Sequence, residues 1–390
     1  MDLARDLAER GRCTVAPNPL VGAVVARDGT LISEGWHARA GGDHAEVRAL
    51  KDAGEAARGA TMYVTMEPCN HHGRTPPCTD AVLRAGISRV VVGHLDPDPR
   101  MRGRSVSLLR EAGLEVEVLE DPAFEHQNEQ FLHYMRTGRP FVHLKLAATL
   151  DGRIAAAGGD SRWVTGEAAR RRAHELRAEA GAVLVGANTV RTDDPLLTVR
   201  DLPAEPPRIT RVVLDPRLTT RPDSRLASSA REDAVLVFTN EESLDGREGE
   251  LEALGVEVVA APLGPEGLDL AFVLDELGRR GIRGVLVEGG AKTATRFVEQ
   301  GLADKLTLFY APKLLGAEGV PVVGALGVTR MAEALKFSVS GVEAVGEDVA
   351  VTLYPIRGPQ ESEDGARRAE VPVSRASRPV DGVFGGLGDG

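Results

Sequence analysis

Cysteine is scarce in this chain: three residues in 390, at positions 13, 69 and 78. Three thiols do not make a disulfide framework, and they fit a reducing compartment, so a cytoplasmic location is expected. Long apolar runs are missing as well. Hydrophobic residues make up 42% of the chain, enough for buried cores, yet no run of about 18 apolar residues would form a membrane span. Met1 to Arg12 is charged throughout and lacks the apolar core of a secretion signal. Positive charge is in deficit. Against 58 Asp and Glu stand 47 Lys and Arg, and a net charge of −11 argues against a general nucleic-acid surface. Lysine supplies only 6 of those cations. The arginines that replace it suit bidentate capture of a small phosphate.

What is present is an alternation of short apolar strands and amphipathic helices, which implies layered α/β domains. Val21 to Arg27 and Thr30 to Trp36 read as strands joined at Asp28-Gly29, a strong hairpin signal. Asp43 is placed to cap a helix from about His44, with Val47, Leu50 and Ala53 facing inward. Thr61 to Met66 reads as a strand, and Pro68 as the first residue of a following helix. Gly138-Arg139-Pro140 marks the expected boundary between a domain over 1–137 and a second over 138–357. The second begins with a strand over Phe141 to Thr149 and ends with late, antiparallel strands over Lys305 to Ala311 and Val349 to Tyr354. Residues 358–390 are rich in Gly, Pro, Ser, Glu and Arg and are expected to stay disordered, because they bury too little apolar surface to offset ordering entropy.

The chemistry of the first half sits in His44-Ala45-Glu46, Pro68-Cys69 and Cys78. An imidazole and two thiols are a three-ligand zinc set, and the open fourth position holds a water whose pKa zinc lowers to roughly 7. Glu46, two residues from the histidine, is placed to move protons without binding metal. This is the pattern of zinc nucleobase deaminases, except that eight residues, Asn70 to Pro77, separate the thiols where two are usual. A closed structural site is the alternative, with His71 or His72 as fourth ligand. Cys13 reads as a buried or reduced structural thiol, and Asn18, between Pro17 and Pro19, as a turn residue.

In the second half, Val287-Glu288-Gly289-Gly290-Ala291-Lys292-Thr293 joins a buried strand to a helix. Its glycines let backbone N–H groups approach an anion at the helix N-terminus, and a plain tight turn explains the spacing equally well. From the residues alone Arg177 and Arg200 read as surface arginines, and Trp163 as core.

Three stretches together, Pro17 to Gly22, His44 to Val47 and Thr65 to Cys78, resemble the bifunctional riboflavin-biosynthesis deaminase/reductase family, in which the long loop between the cysteines is a hallmark. The resemblance continues through Lys145 to Arg153, Ser161 to Thr165, Leu176-Arg177, Thr189 to Arg200 and Glu288 to Gly290. It implies a cytidine-deaminase-like three-layer α/β/α domain followed by a dihydrofolate-reductase-like α/β domain. The implied chemistry is zinc-dependent deamination of 2,5-diamino-6-(5-phosphoribosylamino)pyrimidin-4-one, then NADPH-dependent reduction of the ribosyl group to ribityl. Carried over by position, Ala147, Trp163, Thr189, Asp193 and Gly289, Gly290, Ala291, Lys292, Thr293, Ala294 and Thr295 line the cofactor. Ser161, Arg177, Leu197, Arg200 and Glu288 hold substrate, and Lys145 and Asp151 lie near the chemistry. Arg177 and Arg200 suit bidentate binding of the ribose 5-phosphate. Family members often read Asp-Pro-Asn-Pro where this chain has Asp96-Pro97-Asp98-Pro99. Small phosphorylated pyrimidines are the expected partners, with no nucleic acid and no membrane, and a homo-oligomer is left open. Two rivals remain: a nucleoside or tRNA deaminase fused to a pteridine-type reductase, and a non-catalytic zinc- and nucleotide-binding protein.

Overall fold

The computed structural model describes residues 1–71, 76–202 and 207–357. The tail expected to be disordered lies outside the described residues, as does His72. Two sheets organise the chain. The first holds β1 (Gly22–Arg27), β2 (Thr30–Trp36), β3 (Thr61–Met66), β4 (Arg89–His94) and β5 (Glu115–Val118) in the order β2-β1-β3-β4-β5. Pairing is antiparallel from β2 to β3 and parallel from β3 to β5. Asp28 and Gly29, both at positive φ, turn the hairpin between β1 and β2.

Alternation along β1 assigns the layers. Val24 packs with Ala4 and Leu7 of α1 (Asp2–Glu9) on one face. Ala23 and Val25 pack with α2 (Ala45–Ala53), α3 (Cys78–Ala85) and α4 (Arg104–Glu111) on the other. The result is an α/β/α sandwich. α2 departs from the sequence reading in two ways. Its N-cap is His44, and the Asp43 carboxylate pairs with Lys51 instead. Its inner face is Ala45, Glu46, Ala49, Leu50 and Ala53, while Val47 stays partly exposed. The small residues are needed because the helix lies close on β2: a Cβ on Gly35 would sit 2.3 Å from the Ala45 carbonyl oxygen. Pro68 does not open a helix. The following helix starts at Cys78, with Pro77 as N-cap, because Pro76 and Pro77 lack N–H groups and Pro77 holds Pro76 out of the helical region.

Two further helices, α5 (Pro122–Gln127) and α6 (Glu129–Thr137), lead to the second sheet. It contains β6 (Phe141–Thr149), β7 (Ala182–Gly186), β8 (Thr210–Leu214), β9 (Val235–Thr239), β10 (Val256–Ala260), β11 (Gly284–Val287), β12 (Lys305–Ala311), β13 (Phe337–Val345) and β14 (Asp348–Pro355). Their order is β10-β9-β8-β7-β11-β6-β12-β14-β13. The strands from β10 to β12 are parallel, and β14 and β13 add antiparallel at one edge. One face is covered by α9 (Leu270–Arg279) and α10 (Ala291–Glu299), through Val273, Leu277 and Phe297. On the other face α7 (Glu167–Ala180) packs Leu176 against Leu286 and Phe309. α6 docks on this sheet, where Tyr134 donates to the Gly278 carbonyl and Glu129 pairs with Lys305 at 2.7 Å. Among the described residues no helix is long and apolar enough to cross a membrane.

The contact at Gly35 yields a test. Gly35→Val should lift α2 from β2, cost on the order of 1–3 kcal/mol as overpacking does, and displace His44 and Glu46 together. Bound metal and melting temperature are the measurements. Unchanged values for both would show that α2 does not depend on this close approach.

Candidate active sites at two strand edges

The carboxyl end of β3 and the N-terminal ends of α2 and α3 converge on one point. Ligand atoms of His44, Cys69 and Cys78 all lie within 4.8 Å of one another. His44 Nδ1 is 3.1 Å from Cys78 Sγ and 3.6 Å from Cys69 Sγ. The first N–H of α3, at Cys78, donates to Cys69 Sγ at 3.3 Å. The helix N-terminus thus serves the cysteine outside the helix. Hydrogen bonding to Cys78 and His44 outweighs burial and lowers the Cys69 thiol to about 4, whereas the sulfur beside it and burial push Cys78 up. His44 is raised, chiefly by its bond to Cys69. Two thiolates and an imidazole at this spacing suit one divalent cation, which removes the repulsion between the sulfurs. His71 is exposed and outside the group, so it closes no fourth position.

Glu46 is 3% exposed, and burial raises its carboxyl pKa while the acid reaches the Cys78 thiol. A buried carboxyl whose pKa is raised beside a metal set is suited to taking and returning a proton. Around it the structure adds residues that spacing did not single out. His37 is buried, its Nδ1 3.1 Å from the Asp43 carbonyl and its Nε2 3.1 Å from Asn18 Nδ2. Nδ1 therefore carries the proton, Nε2 accepts from the Asn18 amide, and burial keeps the ring neutral. The His37 ring meets the His44 ring edge-on, with centroids 5.4 Å apart. Asn18 is more than a turn residue: it orients a histidine that braces the metal set. Glu67, also buried, accepts from the backbone N–H groups of Asp96, Gly103 and Ser105 and pins that segment beside Cys69. Asp98 is occupied by Arg100 through bonds of 2.7 to 3.1 Å.

In the second domain the structure brings Lys145, Arg177 and Glu288 together at the carboxyl end of β11, on the usual ligand-binding edge of a parallel sheet. Glu288 follows β11 directly, and its carboxylate is gripped by Arg177 through Nε and Nη2, the latter at 3.1 Å. Lys145 Nζ lies 3.8 Å from the same carboxylate, and Arg177 Nη1 donates to the Thr198 carbonyl at 2.8 Å. The pair is buried, at 13% and 12% side-chain exposure. Burial raises the Glu288 carboxyl, but Arg177 and Lys145 outweigh it and hold it at about 2. Burial lowers the Lys145 ammonium. Arg177 is thus already bidentate to Glu288 and is not free for a phosphate, because a buried carboxylate cannot be left unpaired. Arg200 is exposed and open.

Trp163 is not core. It is 64% exposed, with the Arg170 guanidinium 4.7 Å from its ring centroid. Ser161 and Asp193 are exposed, Ala147 and Thr189 half-buried, and Leu197 buried. Asp151 ties down a loop, accepting from the N–H groups of Leu315 and Gly316 and from the Thr149 hydroxyl. Gly290 is the N-cap of α10, and a Cβ on Gly289 would meet Thr293 at 2.4 Å. Gly289 to Thr293 is at least partly open. Ala294 faces the core, and Thr295 is buried, bonded to the Ala291 carbonyl and the Gly324 N–H.

Glu288→Gln should strand a buried guanidinium and ammonium and cost on the order of 3–5 kcal/mol. The pH sign is fixed by the shift. A carboxyl depressed from 4.5 to about 2 contributes stability that is present above 4.5 and lost as pH falls toward 2. The variant should therefore lose less stability than the native protein across that window in acid denaturation. Parallel curves would show that Glu288 does not carry this linkage.

Comparison with known proteins follows the same division. Residues 1–94 match the family model "Cytidine and deoxycytidylate deaminase zinc-binding region", and residues 140–351 match "RibD C-terminal domain". Riboflavin biosynthesis protein RibD of Aquifex aeolicus is 45% identical over 353 residues, spanning 90% of this chain and 96% of that one. The Escherichia coli protein of the same name is 40% identical, spanning 90% and 98%. Among solved structures, Acinetobacter baumannii RibD superposes with a TM-score of 0.83 at 38% identity, over 91% of this chain and 98% of that one. The diaminohydroxyphosphoribosylaminopyrimidine deaminase/5-amino-6-(5-phosphoribosylamino)uracil reductase of Thermotoga maritima superposes with 0.79 at 38% identity, over 91% and 97%. The chain belongs to the RibD family of riboflavin-biosynthesis enzymes, in which a deaminase and a reductase share one polypeptide.

Proposed function

We propose that this chain deaminates 2,5-diamino-6-(5-phosphoribosylamino)pyrimidin-4-one in its first domain and reduces the ribosyl group of the resulting aminouracil phosphate to ribityl in its second. The domains are taken as 1–137 and 138–357, the setting as the cytoplasm, and the partners as these small phosphorylated pyrimidines. The observation that carries the first step is the convergence of His44, Cys69 and Cys78 beside a buried Glu46. His44, Cys69 and Cys78 would hold a zinc ion, which would supply an acidified water at neutral pH. Glu46 would take a proton from water as its oxygen adds to the ring carbon bearing the amine, pass that proton to the ring nitrogen, and assist departure of ammonia as the carbon–nitrogen bond breaks. His37, fixed by Asn18 and the Asp43 carbonyl, keeps the His44 ring oriented.

For the second step NADPH supplies the hydride. The open N-terminal N–H groups of α10, reached over Gly289 and Gly290, would hold its pyrophosphate, and the exposed Trp163 would offer a flat surface to a ring. Glu288, kept ionised by Arg177 and Lys145, accepts from substrate hydroxyls, and Arg200 meets the 5-phosphate. The protein's contribution here is placement and charge, since the hydride chemistry belongs to the cofactor.

Ammonia release and NADPH absorbance with the diamino substrate test both steps. Glu46→Gln should keep its metal and fold but lose about 100- to 10,000-fold in ammonia release. It should still oxidise NADPH when given the deaminated compound, and not when given the diamino compound. A pocket built to receive a ring carbonyl leaves buried groups unpaired against an exocyclic amine. Rapid NADPH oxidation by this variant with the undeaminated substrate would overturn the order of steps.

A further inference from the structure

A cavity of about 230 Å³ opens at the carboxyl ends of β7 and β8. One wall is α8 (Ala187–Asp193), which carries Arg191, and the other is the turn over 219–224, with Thr220, Arg221 and Asp223. Neither Arg191 nor Arg221 has a role in the steps above. The turn is rigid for a physical reason. Buried Asp215 accepts from the Thr220 N–H at 2.6 Å, from the Thr220 hydroxyl at 2.8 Å and from the Thr219 hydroxyl at 3.0 Å. Ser224 closes the far side by donating to the Arg221 carbonyl at 2.7 Å. The hydroxyls are thus spent on the turn, and the groups left to meet a ligand are the two guanidiniums.

Among the described residues each guanidinium is hydrogen-bonded only to a neighbour on its own segment. Arg191 donates to Asn188 Oδ1 at 2.6 Å, and Arg221 forks onto Asp223, where the two side chains are 73% and 67% exposed. An exposed pair of this kind contributes little in water and yields readily to a doubly charged phosphate. The other carboxylate at the cavity, Asp194, is engaged by the Arg225 N–H at 2.9 Å.

Position in the sheet names the ligand. β11, whose carboxyl end leads through Gly289 and Gly290 into α10, pairs with β7, and β7 pairs with β8. A cofactor whose pyrophosphate rests at α10 therefore reaches this cavity after crossing about two strand spacings, roughly 10 Å, a span suited to one nucleoside. An acidic side chain at such a place favours the ribose 2′-hydroxyl, and arginine favours a 2′-phosphate. We propose that Arg191 and Arg221 clamp the 2′-phosphate of NADPH and are the residues that make this reductase prefer NADPH over NADH. The proposal rests on the cofactor reading above and supplies what the sequence left undetermined, the choice between the two nicotinamides.

The test is calorimetric binding of NADPH, NADH, 2′,5′-ADP and 5′-AMP to the full chain and to Arg191→Leu and Arg221→Leu. Both side chains are on the surface, and retained ammonia release from the diamino substrate checks the fold. The native protein should bind 2′,5′-ADP more tightly than 5′-AMP, and each variant should lose about 10- to 100-fold in affinity for NADPH and 2′,5′-ADP. NADH and 5′-AMP affinities should stay unchanged. If both variants keep the native preference, or lose the two nicotinamides equally, the clamp is wrong while the reductase reading stands. If the native protein binds neither nicotinamide, both fail.

Discussion

Two sulfurs and an imidazole within 4.8 Å of one another are the constraint on which the first domain depends. The fold by itself favours thiolate at Cys69 alone, while burial and the neighbouring sulfur hold the Cys78 proton, so a second thiolate there requires a cation. The first amide of α3 points at Cys69, and His44 lies within reach of both sulfurs. This requires three chain ends to meet at one place. α2 must lie close against β2, which a glycine at 35 and alanines at 45 and 49 permit. α3 must begin at Cys78 and not earlier, which Pro76 and Pro77 enforce. The buried Glu46 follows from the same packing: the helix that presents His44 at its cap turns its second residue into the core.

The second domain solves a different problem with the same means. Its parallel strands aim their carboxyl ends at one crevice, and buried charge there is balanced locally. Glu288 sits between Arg177 and Lys145, so the carboxylate stays ionised where burial alone would neutralise it. The pair also fixes α7 to the end of β11. The two sheets are linked by α6, where Tyr134 and Glu129 bond across to Gly278 and Lys305.

Much of this was legible in the sequence. Strand periodicity set Thr30–Trp36, Thr61–Met66, Phe141–Thr149 and Lys305–Ala311 to the residue, because alternating or continuous apolar runs bounded by turn residues have few other readings. The metal set was legible because His-x-Glu and Pro-Cys are local patterns whose chemistry does not depend on a partner far away. Errors arose where neighbours decide the outcome. Asp43 had the composition of a cap but found Lys51. Trp163 had the composition of a core residue but faces solvent under Arg170. Asn18 is the turn residue its spacing implied, bonded to the Val15 carbonyl, and only the fold adds its contact with His37.

The sequence by itself determined the periodicities, the turn at Asp28-Gly29, the glycines at 289 and 290 and the ligand types at 44, 69 and 78, since each rests on covalent geometry or side-chain chemistry. Only the tertiary structure decided which charges meet. Residues 177 and 288 are 111 positions apart, and nothing local to either says that Arg177 is committed to a carboxylate and closed to a phosphate. Likewise no pattern around 191 or 221 brings their guanidiniums to one cavity; that follows from β7 and β8 being neighbours in the sheet. Charge interactions fall off with distance and grow with burial, and both are properties of the folded chain.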